Sequence, residues 1–342
     1  MSEKRTEISE LGEFGLIDKI KSQIQLQHPK TLYGIGDDAA VIDNGDEVIL
    51  MTSDMLNEGV HFDLSYTPLV HLGYKAVAVN VSDIAAMNGI PGQITVSLGL
   101  SNRFSVEAVE ELYKGIRLAC ANYKVDLVGG DTTSSRSGLI ISITALGYCK
   151  KTEVCYRNTA KENDLLCVTG DLAGAYIGLQ LLEREKQVYL SNPNMQPELE
   201  GKDYMVQRQL KPEARMDVIY ELRELGVTPT AMIDISDGLA SEIMHLCKNS
   251  NLGAVLMEDK LPIDEQTYEA AREFNLEPLT CILNGGEDYE LLFTIKQDDY
   301  DKIRNHPDIT IIGLMKEASA GINVVTKAGN SFPLKAQGWA HF

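Results

Sequence analysis

Six times along this chain an apolar run stops at a carboxylate set among glycine, serine or threonine: GIGDD (Asp37, Asp38), TSD (Asp54), VSD (Asp83), GGD (Asp131), DISDG (Asp234, Asp237) and GGED (Glu287, Asp288). Solvated acids sit among Lys, Glu and Gln on exposed helix faces. These stand where a strand or helix should give way to a turn, the usual place for chemistry carried on a rigid scaffold. Crowded carboxylates repel and raise one another's pKa unless a cation intervenes. Hard divalent cations bind through oxygen alone, and Mg²⁺ usually completes its shell with substrate phosphates. The pattern therefore points to a Mg²⁺-nucleotide site assembled from several loops.

With 342 residues the chain can bury a large core and is read as two domains, 1–150 and 151–342. It contains no run approaching the ~18 apolar residues of a membrane span, and MSEKRTEISELGEF has no secretory hydrophobic region, so a soluble, cytoplasmic protein is expected. Six cysteines form no CxxC pair and no zinc spacing, and four of them lie inside apolar runs, where they read as reduced core thiols. A net charge of −19 argues against nucleic-acid partners. It would also disfavour ATP, were it not that bound divalent ions invert the electrostatics of an acidic pocket.

A helical lead-in is expected within 1–32, with Leu16, Ile17, Ile20 and Ile24 at helical spacing. The run 48–51 reads as a buried strand ending at Thr52-Ser53-Asp54, and 69–88 as a helix carrying Asn80, Asp83 and Met87 on one face. A helix over 105–123 leads to a strand over 125–128 that stops at Gly129-Gly130-Asp131, and a strand over 139–149 follows. The second half restarts with a strand and turn at 165–171, a helix over 173–182 and a polar surface excursion over 183–206. AMIDISDG (231–238) leads directly into a helix over 239–247, and 253–257 and 290–295 read as further strands. The mixture predicts an α/β or α+β fold.

Each motif also has a plain reading. GxGDD serves an Asx-type turn, and its GxG lacks the third glycine of a dinucleotide fingerprint. TSD and DISDG can cap helices, although capping by Ser236 or Asp237 leaves Asp234 unexplained. Asp83 stands on an almost wholly apolar helix with no basic residue one turn away, which favours a metal. The glycines before Asp131 let a triphosphate approach the backbone, although a GGD turn competes. His61 alone is weak. Arg157 and Arg215 are the best phosphate-facing cations. P-loop, protein-kinase, GxSxG and HExxH signatures are absent from the sequence.

With these residues in hand the chain resembles the thiamine-monophosphate kinase family of the aminoimidazole-ribonucleotide-synthetase-like ATP-binding superfamily. The resemblance runs through GEFGLI (12–17), GIGDDAAVI, TSDMLNEGVHF, GYKAVAVNVSDIAAMNG, DLVGGDTT, DISDGLASE and GGEDYELLFT to the terminal GWAHF. It implies two α/β domains, with the N-terminal sheet pairing across a homodimer. It also implies the reaction of ATP with thiamine monophosphate to give ADP and thiamine diphosphate. Mapped by motif, several Mg²⁺ ions would be held by Asp38, Thr52, Ser53, Asp54, Asp83, Asp131, Asp234 and Asp237. Gly130, Arg157, Ser236 and Tyr113 would face ATP; His61, Glu287 and Trp339 would face the thiamine phosphate, with Trp339 or Tyr289 able to stack on its rings. No catalytic base is implied, because an acceptor phosphate with a second pKa near ~6 is already an anionic nucleophile.

Rival readings make distinct demands. A selenide-using relative needs a reactive cysteine near the N-terminus, but the first here is Cys120; a hydrogenase-maturation relative needs one at the extreme C-terminus, and this chain ends in WAHF. Aminoimidazole ribonucleotide synthetase would phosphorylate an amide oxygen instead. A two-metal phosphatase would bring histidines into the clusters, and only TSDMLNEGVH contains one. A non-catalytic metal-binding scaffold would give no reason for GGD and DISDG beside phosphate-compatible turns.

Overall fold

The computed structural model describes residues 7–335. Trp339 lies outside them. The first half builds a six-stranded sheet from β1 (Thr31–Tyr33), β2 (Ala40–Asn44), β3 (Glu47–Asn57), β4 (Ile90–Leu100), β5 (Asp126–Ser134) and β6 (Ile140–Lys150), in the order β1-β2-β3-β6-β4-β5. All neighbours are antiparallel except β4 and β5. Strict alternation of buried and half-buried residues along β6 shows one face on the core and one left open.

The helices α1 (Ile8–Lys21), α2 (Leu69–Ala86) and α3 (Val106–Tyr123) belong to this half. Sequence order continues with β7 (Leu165–Thr169), α4 (Gly174–Ser191), α5 (Asp203–Leu210), α6 (Met216–Glu224), β8 (Ala231–Asp234), α7 (Leu239–Ser250), β9 (Leu252–Met257), β10 (Leu291–Ile295), β11 (Ile309–Glu317), β12 (Ile322–Val325) and β13 (Ser331–Pro333). Their strands form a seven-stranded sheet in the order β13-β12-β9-β11-β7-β10-β8, antiparallel except for β12 and β9. The architecture is mixed α/β with two sheets, as the sequence predicts.

Helix α2 positions the site. It is apolar nearly all round because it is buried nearly all round, from Leu72 through Ala86 with Asp83 the partial exception. It lies on β3 and β6, crosses α3 and reaches β8 of the second sheet. Two glycines set the crossing. A Cβ on Gly73 would stand 2.1 Å from the Leu112 carbonyl oxygen, and one on Gly115 1.9 Å from that of Val70. The backbones touch where side chains would otherwise separate them. One hydrophobic core joins α2, α3 and the first sheet to Met216, Ile219, Leu291 and Phe293 of the second half.

Three local expectations are corrected. β3 does not end at Thr52-Ser53-Asp54; it runs on to Asn57 because its whole length is zipped to β6. β5 likewise passes through Gly129-Gly130-Asp131, paired with β4 up to Ser134. The stretch 183–206 is an excursion only in its middle, since α4 continues to Ser191 and α5 begins at Asp203.

Candidate active site

A cleft of about 1230 Å³ opens between the two halves. At one end, four segments far apart in sequence deliver carboxylates: Asp38 from the β1–β2 loop, Asp54 from β3, Asp83 from α2 and Asp234 from the end of β8. One oxygen from each of Asp38, Asp83 and Asp234 lies within 4.8 Å of the others. Thr52 donates its hydroxyl to Asp83 at 2.5 Å, and Ser82 donates to Asp234 at 2.6 Å. The face of α2 foreseen from its spacing does the bracing: Asn80 Oδ1 accepts from the Asp54 amide at 3.1 Å, and Met87 Sδ takes the Ala39 amide at 3.1 Å.

Burial is the main force raising the pKa values here, and repulsion adds to it. Desolvation followed by the charge of Asp38 raises Asp54 and Asp234. Asp83 is pushed up by burial, then by Asp54, Asp234 and Asp38. Asp37 and Asp38 are raised by burial too, against the opposing pull of Arg157, whose guanidinium is paired with both. Asp38 Oδ2 is buried with no hydrogen-bond partner among the described residues. A close set of desolvated, acceptor-only oxygens with one lone orphan fits a hard divalent cation.

Beside this pole two motifs are stitched together. The Glu287 amide donates to the Ser236 carbonyl at 2.7 Å and the Tyr289 amide to that of Ile235 at 2.9 Å, so the GGED and DISDG segments form one wall. Ser236 and Asp237 line the cleft, and the Asp237 amide donates to the buried Glu242 at 3.0 Å. His61, Tyr66, Glu183 and Lys186 line the cleft as well. His61 Nδ1 accepts the Asn57 amide at 3.0 Å, and Tyr66 donates to Glu183 at 2.7 Å while Lys186 meets Asp63 at 2.7 Å. These last two bonds span the cleft from one half to the other.

The AIR synthase related protein families match both halves, the N-terminal domain over residues 36–149 and the C-terminal domain over 161–304. Thiamine-monophosphate kinase of Aquifex aeolicus is 35% identical over 98% of this chain and 99% of its own length. That of Bacillus subtilis is 33% identical over 97% and 100%. The chain belongs to the thiamine-monophosphate kinase family. Among solved structures, AaThiL complexed with AMPPCP and TMP superposes with a TM-score of 0.84 at 34% identity, covering 99% of each chain.

For a member of the thiamine-monophosphate kinase family, the residues expected at the site divide into three groups. Asp38, Thr52, Asp54, Asp83, Arg157, Asp234, Ser236, Asp237, His61 and Glu287 all line the cleft. Ser53 touches its rim, but its hydroxyl accepts from Thr144 on the open face of the sheet at 3.2 Å, because strand alternation turns it away from Thr52 and Asp54. Asp131, Gly130 and Tyr113 are not on the lining. Tyr113 packs against the first core, and Gly130 has its own structural reason: a Cβ there would stand 1.8 Å from the Val96 oxygen. Arg215 is a correction. Its guanidinium is spent on Glu290 at 2.7 Å and Asp217 at 3.0 Å, and faces no cleft.

Sequence reasoning missed Lys75, Gln209 and the Glu183/Lys186 pair. A signal existed for Lys75, the one cation on an apolar helix, four and eight residues before Val79 and Asp83. A second cluster, Glu221, His306 and Asp308, resembles a metal site by proximity alone. His306 Nδ1 accepts the Asp308 amide at 3.2 Å, so that nitrogen is already engaged, while Nε2 lies 3.0 Å from a Glu221 oxygen that has no hydrogen-bond partner among the described residues.

Proposed function

We propose that this chain transfers the γ-phosphoryl group of ATP to the phosphate of thiamine monophosphate, giving ADP and thiamine diphosphate. A bond forms between an acceptor phosphate oxygen and the γ-phosphorus as the bond to the β–γ bridging oxygen breaks. The observation that carries this reading is the convergence of Asp38, Asp83 and Asp234 within 4.8 Å at one end of a cleft roomy enough for two ligands, in a chain of this family.

Asp38, Asp54, Asp83 and Asp234 would hold Mg²⁺, with Thr52 and Asp237 beside them. Bound there, Mg²⁺ neutralises charge on the phosphates and on the phosphoryl group in flight. The chain itself supplies alignment. Ser82, Thr52 and Asn80 fix the carboxylates from behind, Arg157 holds the Asp37-Asp38 loop in place, and Ser236 stands close before the start of α7, where free amides favour phosphate. No side chain need remove a proton, since the acceptor phosphate is already largely anionic at neutral pH. His61 and Glu287 stand toward the acceptor.

We further infer a homodimer built on the open face and free edge of the first sheet. Met51, Met55 and Val128 are exposed there. Asp131 lies in one lateral row with Ser97, Ser142 and exposed Met55, and so shares their face. A second copy seated on this surface would give Asp131 and Gly130 a cleft to serve, that of the partner. The domain division near residue 150 and a cytoplasmic location complete the reading; the six cysteines are all free and buried, and no helix among the described residues is long and apolar enough to cross a membrane.

The test is an assay with ATP, Mg²⁺ and thiamine monophosphate in which thiamine diphosphate is followed directly. Product requiring all three supports the reading. ADP formed without thiamine diphosphate would move the chain to a sister ATP-dependent reaction, and no reaction from folded, Mg²⁺-loaded protein would discard the thiamine assignment.

A further inference from the structure

One face of α2 runs the length of the site. Lys75, Val79 and Asp83 all line the cleft at intervals of four residues. At 1.5 Å of rise per residue, Lys75 and Asp83 stand about 12 Å apart along the axis, so one helix carries both a carboxylate of the pole and a lysine farther along the cleft wall.

The Lys75 side chain is 3% exposed, and its ammonium contacts Glu287 Oε1 at 2.9 Å and the Gln209 carbonyl at 3.4 Å. Gln209 Nε2 donates to the other oxygen of the same carboxylate at 2.6 Å. Each oxygen of Glu287 thus takes one bond from a fixed donor behind it, which sets both the position and the plane of the carboxylate. The group itself stays 25% exposed on the cleft side. Its backbone has φ +65, a left-handed conformation that a non-glycine residue adopts at a cost and keeps only when its surroundings over-determine it. A buried salt bridge serving stability alone would not need a carboxylate left open to the cleft on a strained backbone.

We propose that Lys75 is a positioning residue for the acceptor: with Gln209 it locks the Glu287 carboxylate so that its free lone pairs meet the cationic, donor-bearing rings of thiamine phosphate. This rests on the proposed function. Lys75 touches no substrate in this arrangement and acts through Glu287.

The test compares Lys75→Met, Glu287→Gln and the double variant by calorimetric titration with thiamine monophosphate and by steady-state kinetics. Lys75→Met is expected to weaken binding of thiamine monophosphate, and to raise its KM, about tenfold or more, while leaving the KM for ATP within about twofold. In the Glu287→Gln background the same substitution is expected to add almost nothing, because its effect passes through that carboxylate. An unchanged KM for thiamine monophosphate, an equal rise for ATP, or additive losses in the double variant would each overturn the proposal. ATP-induced thermal stabilisation equal to that of the unaltered chain shows that Lys75→Met is folded; should it not fold, Gln209→Leu removes the other fixed donor and carries the same expectation. An unaltered chain that binds thiamine monophosphate without phosphorylating it sinks the kinase reading and leaves the titration to decide the role of Lys75; one that does not bind it sinks both.

Discussion

Ser82 on α2 donates its hydroxyl to Asp234 at the end of β8, 152 residues away, across 2.6 Å. Both groups are buried. The bond joins the first half of the chain to the second at the carboxylate pole, so the pole exists only when the two halves are docked. Ser82→Ala removes a donor from a buried acid, and is expected to cost about 1–3 kcal/mol. Urea denaturation without Mg²⁺ measures this. Unchanged stability would mean that Asp234 gains nothing from the contact.

Asp83→Asn separates activity from stability. Asp83 is raised well above its ordinary pKa by burial and by Asp54, Asp234 and Asp38, so making it neutral relieves repulsion while Thr52 can still donate to the amide oxygen. The variant is expected to lose turnover, to lose most of its thermal stabilisation by Mg²⁺, and to melt no lower than the unaltered chain when Mg²⁺ is withheld. Near-normal turnover would remove Asp83 from the ligand set.

The carboxylate pole was legible because its signal is local: an acid on an apolar helix, or at the end of an apolar run, has few explanations. Strand extent was not. Ser, Asp and Gly look like terminators, yet β3 and β5 run through them because pairing with β6 and with β4 carries each ladder onward. That error hid the alternation that sends Ser53 to the opposite face from Thr52 and Asp54. The partners of buried charges were equally illegible. Glu287 lies 212 residues from Lys75, and Glu290 lies 75 from Arg215, so no local pattern could name the partner of Lys75 or tell that Arg215 turns away from the cleft.

The α2–α3 crossing offers a test of the fold itself. A methyl on Gly115 would meet the Val70 oxygen at 1.9 Å, backbone against backbone, with no flexible side chain to give way. Gly115→Ala must therefore force the helices apart. Overpacking of this kind typically costs about 1–3 kcal/mol or more. Because α2 carries Asn80, Ser82 and Asp83, Mg²⁺-induced stabilisation should weaken together with stability. A variant as stable as the unaltered chain would show that the crossing has slack.

His245 makes the fold sensitive to acid. Its ring meets Phe14 edge-on, with centroids 4.4 Å apart at 64°. Burial, then the charges of Arg157 and Lys248, push its pKa down to about 4, with Asp18 pulling weakly the other way. The unfolded chain takes up this proton near the ordinary value of about 6.5, and the folded chain only near 4. Between those values the unfolded state binds more protons, so the stabilising contribution is whole above pH 6.5 and drains away as pH falls toward 4. Buried carboxylates with raised pKa values act in the opposite direction, but they are common to both proteins and cancel in a comparison. His245→Gln should therefore be less stable than the unaltered chain at pH 7, where the ring contact with Phe14 is lost, and the gap should close or reverse by about pH 4.5. Denaturant midpoints across that range decide it. A gap that stays constant would mean that His245 titrates alike in the folded and unfolded chain.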